Sequence, residues 1–441
     1  MRRGYLKLAH ASAVLLLLAG CTTMQPKRGQ IADDLGTPVI PYAEAVNRIF
    51  PGDCQPPARK PCARRVAPRS ADAKPANGAT VLTLAEVQGI ARGQNPTFAE
   101  FAASRQAARA EVLQALAYPN PDMEADLDYT LGLFQPIEFP SKRRARRNAA
   151  EASGSVVERE EDEFRATLAA DAAKAYHTVL YHEHAVEFAK EALKTEQDIE
   201  QIVGYRVEAG GAPEIDRIKA QVETLKASRV VQAQERQRVS GRAVLNALCG
   251  RALPPGFVLD DALERPLAGV NMEQAQQIAL AQHPVLRRLE AVLRQKELIV
   301  QREQKAWFPS IRIGIPLGLE VPLLNRNKGG IAAAKADLER TQAELTRARQ
   351  EIQRDLEMAT QTYESAREQV AVFQGGLRAA AAESLRIETL MYQEGEVDFL
   401  QLLDARRTAR QTEAEYLQIM YDAQIARIEI ERAIGIGGER E

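Results

Sequence analysis

The sequence has few of the residues and motifs on which most enzyme active sites depend. Its 441 residues include five histidines, four cysteines and one tryptophan, and no P-loop, GxSxG or HExxH motif occurs. Aromatic residues make up 5% of the chain, and the formal net charge is −2. The missing motifs argue against an enzyme with a cofactor or a resident metal, and the balanced charge argues against a nucleic-acid partner.

Alanine, glutamate, glutamine, arginine and leucine are plentiful instead, a composition typical of long helices. Between Gly330 and Met391 apolar side chains recur every seven residues, and no proline interrupts residues 323–441. The row consists of Ile331, Leu338, Leu345, Ile352, Ala359, Ala366 and Phe373. This spacing predicts a coiled-coil helix of about 90 Å with a local bend at Gly375 and Gly376. Leu168 to Leu193 form a matching row in an earlier arm.

The chain contains two similar halves, which we predict as a first repeat over 81–265 and a second over 266–436, followed by a tail at 437–441. Their opening segments correspond at an offset of 188 residues, and each is predicted to run as a helix to Pro121 or Pro309. Alternating apolar residues then predict a β-hairpin at about 122–139 and another at about 310–321, with turns at Gly132 and Gly318.

A helical hairpin tip is predicted in each repeat, at about 206–217 and 391–404. Gly395 suits the left-handed end of one helix, and Asp398 can cap the next. Phe399, Leu400, Leu402 and Leu403 would form the apolar face of that second helix. Gly210 occupies the position of Gly395 in the earlier copy, at an offset of 185 residues.

The N-terminus carries the features of an exported lipoprotein. A basic start and the short apolar run from Ala11 to Ala19 precede Leu18-Ala19-Gly20-Cys21, which predicts a signal peptide over 1–20. Residues 21–80 are rich in proline, glycine and charge and are predicted to form a flexible arm. Cys54 and Cys62 could form a disulfide there in an oxidising compartment, whereas Cys249 is predicted to be an unpaired core or helix-end thiol.

Two clusters have both a plain and a functional interpretation. His177, His182 and His184 lack the spacing of a helical metal site, and only His182 falls on the apolar heptad row of the earlier arm. A partly packed helix with a titratable surface is therefore favoured over metal contact. The basic run at 142–147 is either a solvated helix start or a contact for lipid phosphate groups.

The tip and hairpin residues together resemble the TolC-like outer-membrane factors, with a pattern similar to lipoprotein members that serve heavy-metal efflux pumps of the resistance–nodulation–division (RND) type. The family's tip motif is matched by Tyr392, Gly395, Leu403, Asp404 and Ala405, and its Pro-(Leu/Ile)-Phe-Asn-Arg-Asn-x-Gly signature by the segment from Pro322. The resemblance extends from about Thr83 to Gly435.

The resemblance implies a mainly α fold with short β-hairpins: two helix–hairpin–helix repeats with long coiled-coil helices, forming a trimeric α-barrel with a small β-barrel that is either complete or truncated. It also implies roles for particular residues. Cys21 would be lipidated. The periplasmic gate would comprise Asp216, Tyr392, Gln401 and Asp404. The tips would contact an adaptor through Gly210, Gly395, Glu396 and Asp398. The membrane-proximal turn would comprise Lys142, Arg143, Asn325, Arg326, Asn327 and Gly329.

This chain departs from the family pattern in two ways. Gln401 replaces an acidic ring residue of some members, and Val397 replaces an arginine that can latch the closed state. The hairpin strands are also shorter than the 9–11 residues that span a bilayer. A squat barrel in a thinned membrane and a tunnel that stops beneath the membrane both fit that length.

The function implied is a passive outer-membrane duct of a tripartite RND-type efflux system, exporting metal cations or drugs. Its partners would be two further copies, a periplasmic adaptor, an inner-membrane RND transporter and outer-membrane lipid, with most of the chain in the periplasm. The alternatives are a lipid-anchored, non-conducting coiled-coil scaffold, a duct for type I protein secretion, or a periplasmic metal-binding protein.

Overall fold

A computed structural model describes residues 40–50, 80–125, 131–260, 263, 267–308, 310–313, 318–320 and 326–436. Cys21, Cys54, Cys62 and Asn325, together with the predicted signal peptide and most of the predicted arm, lie outside these residues.

The described chain is mainly helical with short strands, which confirms the predicted fold class. The elements are, in order, α1 (Tyr42–Ile49), β1 (Val81–Leu82), α2 (Leu84–Gln94), α3 (Thr97–Leu116), β2 (Asp122–Ala125), β3 (Leu131–Glu138), α4 (Pro140–Glu208), α5 (Glu214–Leu248), β4 (Val258–Leu259), α6 (Met272–Gln282), α7 (Pro284–Ala306), β5 (Ser310–Ile313), β6 (Gly318–Glu320), α8 (Lys328–Val372), α9 (Arg378–Glu394) and α10 (Phe399–Ile434). The same order thus occurs twice, from α2 to α5 and from α6 to α10: two helices, two strands and two long helical arms. In the second half, α8 and α9 together form the first arm.

The long arms follow from the heptad rows. Helix α4 has 69 residues, which corresponds to about 100 Å at the rise of an α-helix. Helices α8 and α9 are joined by a π-helical segment, Phe373–Leu377, in which Gly376 has a φ of 141°. The bend predicted at the glycine pair is therefore present, because glycine can adopt this backbone conformation without a side-chain clash. Within the described residues, every helix is either too short or too polar to traverse a lipid bilayer.

The prediction that each opening helix runs unbroken to Pro121 or Pro309 is wrong. The first is interrupted between α2 and α3 at Asn95, and the second between α6 and α7 at His283. Both residues precede a proline, whose ring disfavours the helical conformation of the residue before it. Their backbones are extended, with ψ near 125°.

Strands β2, β3, β5 and β6 form one antiparallel sheet in that order, and β1 pairs with β4 in a separate parallel pair. The turns predicted at Gly132 and Gly318 are wrong, because both glycines lie within strands, opposite Glu124 and Arg312. A Cβ atom on Gly132 would lie 2.7 Å from the Phe134 ring, so this glycine makes room for a side chain within the sheet. Residues 126–130 and 314–317, which connect these strands in the sequence, lie outside the described residues.

Apolar clusters hold the arms together along their length. In one cluster, α1 packs on α6 and on the second half of α8, with the Phe50 and Tyr363 rings edge to face at 5.9 Å. Tyr176 of α4 donates its hydroxyl to the Asp260 carbonyl at 2.6 Å, which ties the segment after β4 to that arm. Cys249 is buried at the end of α5, as predicted.

The imidazole of His283 makes stability dependent on pH. Its Nδ1 accepts a hydrogen bond from the Val285 backbone at 3.2 Å, and burial lowers the pKa of His283 to about 4. The unfolded chain therefore binds a proton between about pH 6.5 and 4 that the folded chain does not. Stability from this residue is present above pH 6.5 and is lost as the pH falls toward 4, by about 2–3 kcal/mol.

We expect His283→Asn to lose less stability on acidification than the parent protein. In the first half Asn95 occupies the matching position, and its side chain accepts from Thr97 at 3.0 Å, so asparagine should keep the cap without titrating. Thermal unfolding at pH 7 and pH 4.5 measures the effect. An equal loss in both proteins would contradict it.

Candidate functional site at the helical tips

Two helical hairpins end side by side. The first tip joins α4 to α5 and the second joins α9 to α10. Gly210 and Gly395 have left-handed backbones, with φ of 74° and 84°, which confirms the conformation predicted for Gly395. The Asp398 side chain accepts from the Gln401 backbone at 2.9 Å and caps α10, also as predicted. These backbone features fix the direction in which each arm turns back.

Tyr392 lies at the centre of the contact between the tips. Its side chain is buried, and its ring lies 6.0 Å from that of Phe399. The surrounding cluster comes from α4, α5 and α10 and includes Ile199, Val203, Ala220 and Leu402. Leu400, predicted to share this apolar face, is 55% exposed. The face is narrower than predicted because successive helical residues are 100° apart, which turns Leu400 away from the core.

Arg206 joins the two tips. From the last turn of α4, its Nη1 donates to the Tyr392 carbonyl at 2.5 Å, and its guanidinium lies 4.5 Å above the Tyr392 ring. Its Nη2 donates to the Gly211 carbonyl at 3.3 Å. Burial raises the pKa of the Tyr392 hydroxyl; Asp216 adds to the rise, and Arg206 opposes it. Arg206 was not predicted from the sequence. Its guanidinium links the two tips through a positive charge, whereas Val397, which replaces an arginine of the family pattern, carries no charge.

The predicted gate residues occupy two different environments. Asp216 is close enough to Tyr392 to affect its titration, and it pairs with Lys219 at 3.6 Å. Gln401 and Asp404 are exposed on the face of α10 that turns away from the Tyr392 cluster. Glu396 is exposed beyond the end of α9. Within one chain, the structure thus brings Asp216 to Tyr392 and leaves Gln401 and Asp404 facing outward.

Two buried ion-pair groups lie just beyond the tips and were not predicted. Arg406 of α10 pairs with Glu196 of α4, and both side chains are buried. Arg407 pairs with the buried Glu223 of α5 at 2.9 Å. The sequence does contain a signal, because Glu196 falls on the heptad row between Ala189 and Val203, where a charge must find a partner.

At the opposite end, Asn327 fixes the start of α8. Its backbone is left-handed, with a φ of 54°, and its amide donates to the Glu303 carboxylate at 2.7 Å. A Cβ atom on Gly330 would lie 2.4 Å from the Asn327 side chain, so a glycine is required at position 330. Arg326 and Gly329 are exposed.

The basic run at the start of α4 contacts its own chain. Arg146 donates to the carbonyls of Ala115 and Ala117, each at 2.9 Å. Lys142 lies 3.9 Å from Glu138, and the Arg143 guanidinium lies over the Tyr118 ring at 4.5 Å. These contacts tie α4 to the end of α3 and to β3.

The histidines of α4 are arranged differently from the prediction. The heptad count puts only His182 on the seam, but His177 is buried while His182 and His184 are partly exposed. Helix α4 also packs a second face against α10 through Ala170 and Ala173, and His177 lies one turn beyond Ala173 on that face, which accounts for its burial. In the described part of the chain, no group of three His, Cys, Asp or Glu residues is arranged to hold a metal ion.

The four-stranded sheet has two chemically different faces. Met123, Leu133, Ile137, Ile311 and Ile313 are exposed. The register places Met123 opposite Leu133 and Ile137 opposite Ile311, so these side chains share one face. On the other face the Arg312 guanidinium lies 4.7 Å from the Phe134 ring.

The exposed side of α10 carries a row of polar residues that includes three carboxylates, and the exposed Arg407 lies beside this row and pairs with Glu223. The row comprises Gln401, Asp404, Gln411, Glu415, Gln418 and Asp422, all exposed. Its three carboxylates are spread over 18 positions of the helix, or about 27 Å. Such a row can attract cations along the helix axis.

Comparisons with known proteins agree with this architecture. The family model described as "Outer membrane efflux protein" matches residues 275–436. The cobalt-zinc-cadmium resistance protein CzcC of Cupriavidus metallidurans is 24% identical over 384 residues, covering 82% of this chain and 92% of CzcC. The nickel-cobalt-cadmium resistance protein NccC of Alcaligenes xylosoxydans xylosoxydans is 26% identical over 289 residues, covering 58% and 64%.

Solved structures share the fold. The crystal structure of CusC gives a TM-score of 0.69 at 16% identity, covering 87% of this chain and 99% of that one. The open-state structure of the MtrE outer membrane channel of Neisseria gonorrhoeae gives 0.68 at 20% identity, covering 81% and 90%.

Proposed function

We propose that the chain is the outer-membrane duct of a tripartite efflux system for divalent metal cations, because residues 275–436 match the family model described as "Outer membrane efflux protein" and most of the chain aligns with CzcC. The family consists of channel proteins rather than enzymes. The proposed metal specificity rests on the similarity to CzcC and NccC, which are resistance proteins for cobalt, cadmium and other metals.

The two-faced sheet carries the proposal. An apolar face can lie against lipid only if the strand edges are paired, since unpaired backbone groups in hydrocarbon cost several kcal/mol each. Three copies would supply twelve strands, which is enough to pair every strand edge in a closed sheet. In that sheet Arg312 and Phe134 would face inward. The strands have four, eight, four and three residues, so the membrane around them would be locally thin.

The outer helices supply contacts for the two further copies. Helix α5 exposes Ile215, Ile218, Val222 and Leu225 in a row at helical spacing. Helices α8 and α9 expose a second row that includes Met358, Val372, Ile387 and Leu390. Packing α5 of one copy on α8 and α9 of the next would bury both rows, and a threefold ring closes such a head-to-tail contact.

In this ring, the acidic row of α10 would line the duct. Three copies of Asp404, Glu415 and Asp422 would form successive rings of carboxylates, which favour cations over anions. Asp216, Tyr392, Gln401 and Asp404 would form the periplasmic gate.

We propose that the tips meet a periplasmic adaptor that is itself bound to an inner-membrane RND transporter. Gly210, Gly395, Glu396 and Asp398 lie at the ends of the arms, where such a partner can reach them. Lipidation at Cys21 would anchor the chain in the outer membrane, with the bulk of the protein in the periplasm and lipid contacts near Lys142, Arg143, Asn325, Arg326, Asn327 and Gly329.

Deletion and complementation test the proposal. In cells lacking this chain we expect Zn²⁺, Co²⁺ or Cd²⁺ to accumulate several-fold above the parent level, and the parent gene to restore export. Complementation with Asp404→Asn should lower metal export, since this variant removes a ring of carboxylates from the duct. Complementation with Gln401→Glu, at an exposed neighbouring position, should raise metal export, since this variant adds such a ring. Unchanged accumulation of metals in the deletion strain would contradict the proposal.

A further inference from the structure

A cavity of about 420 Å³ lies between α4, α5 and α10. It is centred near Phe188, 20 residues or roughly 30 Å before the end of α4. The cavity arises because five alanines face one another where larger side chains would fill the space: Ala185, Ala189, Ala192, Ala227 and Ala414. Val230, Leu417 and the Tyr181 and Phe188 rings complete an apolar wall.

The end of the cavity nearer the tips is positively charged. Lys226, Arg407 and Arg410 line it, and no carboxylate is among the lining residues. The acids behind these cations are Glu223, which accepts from Lys226 and Arg407, and Glu196, which pairs with Arg406 and Arg410. Four cations therefore share two carboxylates, which leaves a net charge of +2.

Arg410 is the cation best placed to receive a further anion. Its Nη1 lies 3.5 Å from Glu196, whereas Arg407 and Lys226 each lie 2.9 Å from Glu223. A guanidinium has five N–H donors, and a carboxylate can accept two of them in parallel. Arg410 is also partly exposed, so an anion can approach it without displacing the buried pairs.

We propose that this cavity binds a single-chain amphipathic carboxylate, with the carboxylate on Arg410 and the alkyl chain among the alanines. An apolar pocket with one charged end matches this class of molecule and has room for a chain of about twelve carbons. A neutral alcohol of the same length would forgo the charged contact, and a two-chain phospholipid would exceed the volume. The site lies within one chain and does not depend on the proposed transport function.

Binding of a fluorescent fatty acid tests the site. The full-length protein in a non-ionic detergent is titrated with 11-(dansylamino)undecanoic acid, and the bound probe is displaced with dodecanoate or dodecanol. We expect one probe per chain, displaced at least tenfold more effectively by dodecanoate. Arg410→Gln should weaken binding about tenfold, since a charge-assisted contact is lost. Ala414→Leu should abolish binding by filling the cavity.

Arg340→Gln is the matched control, because Arg340 is an exposed arginine of α8 that pairs only loosely with Glu344 at 3.7 Å. It should bind the probe as the parent does. Ala414 is exposed and Arg410 is partly exposed, so both variants should fold, and thermal melts check this. The proposal would be overturned if Arg410→Gln and Ala414→Leu bound the probe as tightly as the parent does. It would also be overturned if dodecanol displaced the probe as well as dodecanoate does, or if the parent bound no probe.

Discussion

Replacing Arg406 with methionine is expected to destabilise the packing of α10 on α4 by about 3–5 kcal/mol, because the substitution leaves Glu196 buried without its main partner. Glu196 is 6% exposed and Arg406 is 5% exposed. Burial lowers the pKa of the Arg406 guanidinium, and the charge of Glu196 opposes that shift. After the substitution, the remaining contact to Glu196 is Arg410 at 3.5 Å, which is too long to replace the lost pair.

Hydrogen exchange of α4 and α10, together with thermal unfolding, measures this effect. The double variant Glu196→Leu/Arg406→Met should recover most of the stability, because two apolar side chains can replace a buried pair without leaving a charge. Arg386→Met is the matched control, since Arg386 and Glu383 form an exposed pair on α9 and such pairs contribute under about 1 kcal/mol. Similar losses in Arg406→Met and Arg386→Met would contradict the account.

Replacing Arg206 with alanine is expected to separate the two tips and to raise the conductance of the duct several-fold. The guanidinium contacts both the carbonyl and the ring of Tyr392. A hydrogen bond from a charged group contributes about 1.5–3 kcal/mol, and a cation–π contact about 0.5–2 kcal/mol. Because the proposed duct has three copies, the free energy lost with these contacts is tripled. A change of that size is enough to shift the equilibrium between closed and open tips toward the open state.

Single-channel recording of the reconstituted protein measures this change. Arg217→Ala is the matched control, because Arg217 lies at the same tip and pairs with Glu214 of its own helix. It should conduct as the parent does. Arg206→Lys should fall between the two, since lysine keeps the charge but not the planar donor group. Parent-like conductance in Arg206→Ala would show that Arg206 does not hold the tips closed.

Local patterns accounted for much of the fold. The heptad row from Ile331 predicted the α8–α9 arm, and the glycine pair within it predicted the bend, because seam spacing and backbone freedom are properties of neighbouring residues. Gly395 and Asp398 likewise identified the end of one helix and the start of the next. Local reasoning failed at Gly132 and Gly318, because both glycines are paired within strands, and Gly132 makes room for the Phe134 ring.

Contacts between distant elements could not be predicted from local patterns. Arg206 and Tyr392 are 186 positions apart, and Glu196 and Arg406 are 210 apart, so nothing in either local segment specifies the partner. The heptad row did indicate that a charge at Glu196 needs compensation. It could not indicate that the compensating arginine comes from α10.

Labelling the strand connections from outside the cell tests whether the duct crosses the outer membrane. Single cysteines replace Asp128 in the first connection, Ile315 in the second and Glu396 at the tips, in a Cys54→Ser/Cys62→Ser background. Cys249 should stay unlabelled, because it is buried and burial raises its thiol pKa to about 11.

A membrane-impermeant maleimide is applied to intact and permeabilised cells. If the duct crosses the outer membrane, Asp128→Cys and Ile315→Cys are labelled in intact cells, and Glu396→Cys is labelled only after permeabilisation. If Asp128→Cys and Ile315→Cys also require permeabilisation, the sheet stops beneath the outer membrane, and the chain is a periplasmic scaffold or a duct completed by another protein.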